Sequence, residues 1–82
     1  MATAVLLQPI RVATRCADKD GQLVLADGEL VAVLVRLADA AHGRLVGSWY
    51  LEAGFGACAA ARPPVFDTFE AAQTWIRCRL AG

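Results

Sequence analysis

The side chains best suited to chemistry are few. His42 and Ser48 are the sole histidine and serine, and the thiols are Cys16, Cys58 and Cys78. A serine nucleophile needs a base within hydrogen-bond reach and an acid that orients the base. His42 reads as part of a polar connection and Ser48 as part of a strand, and the sequence marks no acid for the third role. A serine triad therefore has no support. The three cysteines are widely spaced and form no Cys-x-x-Cys pair, so reduced thiols are expected and neither a disulfide framework nor a zinc site is. Cys58, between alanines and close to glycine, reads as an exposed thiol. Cys78 projects away from the apolar face of a helix, near Arg77 and Arg79. Both are expected to be inert, because reactivity requires a strongly electropositive setting.

Two short motifs resemble ligand loops. Gly54-Phe55-Gly56-Ala57-Cys58-Ala59 fits the phosphate-binding pattern Gly-x-Gly-x-x-Gly/Ala and follows a predicted strand. That chemistry needs a helix whose N-terminus receives the pyrophosphate. Pro63-Pro64 would stop such a helix within about one turn, so a glycine-rich turn is the preferred reading. Asp18, Asp20, Gly21 and Asp27 fall on four positions of a calcium-loop template, but Cys16 occupies the first ligand position and the flanks read as strands. A turn at residues 18–21 is preferred. No cofactor, metal or enzyme activity is expected.

The remaining candidates are contact residues. Trp49 and Tyr50 are adjacent in a predicted strand and must point to opposite faces, so one belongs to the core and the other is available to a partner. Arg36 is the only basic residue of the two central strands and is the third candidate. Trp75 and Arg79 have the i, i+4 spacing that places a cation over a ring.

These residues have to be positioned by a small domain. The chain has 82 residues and is read as one domain, 1–82, with room for one modest core. The 57% hydrophobic fraction overstates that core, since much of it is alanine, which buries little area. Formal net charge is zero and neither half is strongly charged, which argues against a nucleic-acid or anionic-membrane surface. The first ten residues carry no Lys or Arg and are broken by Pro9, so no secretory leader is expected, and no apolar run approaches the ~20 residues of a membrane span. A cytoplasmic protein is expected. Seven arginines against one lysine, with abundant alanine and no asparagine, match a GC-rich bacterial genome.

Alternation at period two predicts a first strand over residues 10–16 and a short second strand over 22–26. Asp27-Gly28 is the pair that suits a tight hairpin turn, and residues 29–37 read as a central strand, apolar at nearly every position. A connection over 38–44 leads to a strand over 45–52, with Trp49 and Leu51 on one face and Val46, Ser48, Tyr50 and Glu52 on the other. Residues 57–64 hold at most a weak edge strand because of their prolines. A helix over 67–80 is predicted, capped by Asp67 with Glu70 completing a capping box, and with Phe69, Ala72, Ile76 and Leu80 on one apolar face.

The fold class is therefore α+β, an antiparallel sheet of three or four strands over about 10–66 with one C-terminal helix packed on one face. The other sheet face is left open. If the helix covers the Trp49 side, Val46, Tyr50 and their strand neighbours of the Leu30, Ala32, Leu34 set form an apolar patch that a second copy would cover.

Phe66-Asp67-Thr68-Phe69-Glu70-Ala71-Ala72 resembles the strand-to-helix junction of plant ethylene-response-factor and phage integrase arm-binding domains, which lay a three-stranded sheet in the DNA major groove. That resemblance implies DNA binding by the sheet, with Arg11, Arg15 and Arg36 as the available cations. Those domains place several Arg and Lys on the sheet, whereas here the central strands offer Arg36 and carry Glu29 and Glu52. Over its full length, with Asp27-Gly28-Glu29-Leu30-Val31-Ala32-Val33-Leu34-Val35, Trp49-Tyr50-Leu51-Glu52-Ala53-Gly54-Phe55-Gly56 and a C-terminal helix, the sequence looks like short conserved bacterial proteins without an assigned function. That likeness implies no catalytic residues. The leading expectation is a non-catalytic protein-interaction or self-association module, with nucleic-acid binding as the alternative.

Overall fold

A computed structural model describes residues 4–82; residues 1–3, part of the charge-free N-terminal stretch, lie outside it. Five strands form one antiparallel sheet in the order of the chain: β1 (Val5–Arg11), β2 (Asp20–Ala26), β3 (Glu29–Arg36), β4 (Trp49–Gly54) and β5 (Val65–Phe66). One helix, α1 (Phe69–Ala81), follows, so the fold is α+β with one strand more than the sequence suggests. The added strand is the two-residue β5, which pairs Trp49 with Phe66 and Tyr50 with Val65. It begins directly after Pro63-Pro64, at the sheet edge where missing donors cost least.

The β2–β3 hairpin forms as its sequence dictates. Asp27 and Gly28 both take positive φ, 51° and 85°, the geometry that lets a two-residue turn follow the twist of its strands. The first strand lies earlier than residues 10–16. Val5–Arg11 pairs with β2 from Val5 opposite Ala26 to Arg11 opposite Asp20, and Pro9 sits inside it. Asp27 N donates to Ala4 O and Val12 N to Lys19 O, which sets the phase of the ladder. Even-numbered residues of β1 therefore bond to β2 while Pro9 and its odd-numbered neighbours turn their backbone groups outward. Proline is tolerated because its missing N–H lies on the free edge.

The chain reverses between β1 and β2 at Arg15, whose φ of 63° is unusual for a side chain with a Cβ. The reversal expected at residues 18–21 is thus displaced: Gly21 lies within β2, where a Cβ would stand 2.9 Å from Leu34 O and from a Val12 methyl. Strand β4 starts at Trp49 rather than at residue 45. Residues 40–45 form a 3-10 turn, and Gly47 at φ 93° ends the alternation on which the longer strand was based. Val46 is consequently the residue that closes this turn and belongs to no strand, and Ala32 and Leu34, expected with it on the open face, are instead buried in the core against α1.

Helix α1 starts two residues later than Asp67. Its cap is Thr68, whose hydroxyl accepts from Ala71 N at 3.0 Å, and Asp67 is exposed. The apolar face is the expected one. Ala72 and Ile76 are fully buried, with Phe69 and Leu80 packed beside them, against Val24, Ala32, Leu34, Leu51 and Phe66 of the sheet. Trp49 stacks on Phe69 with ring centroids 4.8 Å apart, which identifies the Trp49 side as the helix side of β4. Arg79 lies over the Trp75 ring, 5.0 Å from its centroid, and donates to the carbonyls of Ala57 and Ala59. The helix end is thereby tied to the short turn Gly56–Cys58. Among the described residues, no helix is long and apolar enough to cross a membrane.

Candidate functional site

Alternation from Trp49 places Tyr50 on the face opposite α1, and strand pairing extends that face across the sheet. Ile10, Gly21, Val35, Tyr50 and Val65 are successive partners across all five strands. Beside them lie Gln8, Leu23 and Val33, and beyond those Leu6 opposite Leu25. On β1 to β3 this face carries no charged side chain.

Its two halves differ. Val35 and Leu37 are buried although the helix is on the other side, because the 12–18 segment and the 40–45 turn fold over this end of the face. Toward β1 it is open among the described residues: Leu6 is 66% exposed and Ile10 38%, while Leu23, Leu25 and Val33 are half-buried. This is an apolar surface formed by the ladder of the sheet rather than by a mobile loop.

Where the two loops meet the sheet, they enclose a cleft of about 560 Å³. Val35, Leu37 and Tyr50 contribute to its apolar lining, and Arg15, Asp18, His42 and Glu52 are among its charged or titratable groups. The loops are locked by Asp18. One carboxylate oxygen accepts from the amides of Ala38 and Asp39, at 2.6 and 2.7 Å, and the other from His42 Nε2 at 2.5 Å. Burial alone would raise the Asp18 pKa, but those two amides and His42 outweigh it and bring it down to about 2. An ionised Asp18 can only accept, so His42 Nε2 carries the proton of this bond. Nδ1 has no hydrogen-bond partner among the described residues.

The sequence contained no sign of this pair, and the expectation that His42 lacks an orienting acid is corrected: Asp18, 24 residues away, fills that role. Ser48 is buried and is not among the residues lining the cleft, so no serine nucleophile joins the pair. Cys16 does line the cleft, with its thiol donating to Thr14 Oγ1 at 3.4 Å.

The contact candidates separate. Tyr50 lines the cleft on the open face. Trp49 packs on Phe69 on the helix side, and Arg36, its partner across the β3–β4 ladder, shares that side. Arg11 pairs with Asp20 at 3.1 Å, and Arg15 stands at the cleft, so the three arginines considered for nucleic acid are not brought together. Cys58, expected to be exposed, is fully buried in the turn under α1. Burial pushes its thiol pKa up, against the pull of Arg79. Gly54, in the Gly-x-Gly motif, is required for packing: a Cβ there would overlap the Cys58 carbonyl. The helical turn that follows has three residues, too short to present a helix N-terminus to a phosphate.

Compared with family models, curated proteins and solved structures, the chain matches none.

Proposed function

We propose that the chain is a non-catalytic, cytoplasmic interaction module that associates with a second copy of itself through the open half of the sheet. The observation that supports this reading is the uncharged apolar face carried by β1 to β3, where Leu6 and Ile10 are exposed and Leu23, Leu25 and Val33 are half-buried. Small soluble proteins seldom leave a contiguous surface of this kind in water. A stable dimer needs about 800 Å² from each partner.

Face-to-face association fits better than pairing of the free edges. The outward backbone of β1 lacks a donor at Pro9, which interrupts any ladder an added strand would make. Two copies related by a two-fold axis would instead stack their sheets about 10 Å apart, as in a sandwich.

Sedimentation equilibrium tests the proposal. Wild-type protein is expected to be a dimer at tens of micromolar, and Leu6→Glu, which places a charge on an exposed side chain, is expected to be a folded monomer. A wild-type monomer at millimolar concentration would refute it.

A further inference from the structure

The cleft beneath the two loops has the features of a small-molecule site, independently of self-association. Its volume of about 560 Å³ lies within the range of ligand pockets, which pair apolar walls with a few fixed polar groups. Val35 and Leu37 are buried at its base and the Tyr50 ring lies beside them.

The Arg15 backbone and the His42 ring are held in place before any ligand arrives. Arg15 takes the left-handed backbone conformation, and the segment around it is fixed by Thr14 N to Val12 O, Lys19 N to Ala17 O and Thr14 Oγ1 to Asp18 O. Non-glycine residues held in that conformation are concentrated at functional sites. Among the described residues Arg15 has no ion-pair partner. His42 is oriented by a buried carboxylate whose two oxygens are already satisfied, leaving Nδ1 without a partner among the described residues. A guanidinium fork, and an imidazole that donates from both ring nitrogens when it is protonated, are complementary to a carboxylate. Asp18, already bonded to two amides and His42, and Glu52 add negative charge to the same cleft, which counts against a doubly charged anion such as a phosphate monoester.

We propose that this cleft binds a small monocarboxylate with an apolar body, its carboxylate held by Arg15 and His42 and its hydrocarbon part against Val35, Leu37 and Tyr50.

The test is an amide and methyl NMR titration of the full chain with three probes of equal chain length: octanoate, octan-1-ol and octyl phosphate. Octanoate is expected to shift the resonances of residues 13–16, Leu37 and His42, and to bind at least about tenfold more tightly than either other probe. Arg15→Gln is expected to weaken octanoate by about tenfold and leave octan-1-ol unchanged. Equal affinity for octanoate and octan-1-ol would overturn the proposal, since the cleft would then be an apolar groove without a carboxylate site. Tighter binding of octyl phosphate, or shifts confined to Leu6, Ile10 and Leu25, would overturn it as well. The wild-type comparison of probes decides the matter even if the variant does not fold.

Discussion

His42 Nε2 meets the Asp18 carboxylate at 2.5 Å and joins two loops 24 residues apart in sequence over one end of the sheet. The pair has a consequence for acid stability. Asp18 has a folded pKa of about 2, below its unfolded value near 3.8, so its carboxylate stabilises the fold at and above about pH 4 and that contribution is lost as pH falls toward 2. The expected loss is about 2 kcal/mol. Urea melts between pH 7 and pH 2 check it, with Asp18→Asn as the reference that removes the contribution of other carboxylates. The variant should be weaker at pH 7 and should lose less stability than the wild type over that interval.

At the start of α1, Thr68 and Asp67 are separated by their roles rather than by their chemistry. Thr68→Ala removes the acceptor of the Ala71 amide and should cost about 1 kcal/mol. Asp67→Ala removes an exposed carboxylate and should leave the urea midpoint within about 0.5 kcal/mol of wild type. Equal losses would show that Asp67 caps the helix after all.

Gly54→Ala should be among the most damaging small substitutions, because the added methyl would overlap the backbone of Cys58 and push away the turn that Arg79 and α1 hold. Overpacking of this kind costs about 1 to 3 kcal/mol. Thermal unfolding gives the readout, and a melting temperature equal to wild type would mean that the 56–58 turn is free to move.

Sheet-mediated DNA binding predicts an affinity that falls steeply with salt. The zero net charge, the Arg11–Asp20 ion pair and the separation of Arg36 from Arg15 give such binding little to work with. Labelled DNA and RNA at physiological salt should bind no more tightly than the ~10⁻⁴ to 10⁻⁶ M non-specific range. Submicromolar affinity that weakens with added salt would reverse the ranking of the two functions.

What was legible in the sequence was local. Asp27-Gly28 determines its own turn, and the spacing of Phe69, Ala72, Ile76 and Leu80 determines the buried face of α1, because in both the signal lies within a few neighbouring residues. Strand β1 lies earlier than the alternation suggests, because Pro9 reads as a stop and its tolerance depends on which way its nitrogen points in a ladder with β2. Residues 45–48 alternate like a strand, yet Gly47 turns the chain. The open face follows from Trp49 and Tyr50 pointing apart, but its exposed part is set by Leu6 and Ile10 on β1, whose position depends on the ladder with β2. The Asp18–His42 pair had no sequence signal at all, since it exists only once two loops fold over the same end of the sheet.

The most direct test of the central claim is a dilution series followed by methyl NMR, from about millimolar to about ten micromolar. Self-association through the open face predicts that the methyl resonances of Leu6, Ile10, Leu25 and Val33 move with concentration while those of Ile76 and Leu80 on α1 do not. Spectra that are unchanged across the series, together with a monomer mass, would contradict the account, as would shifts confined to α1.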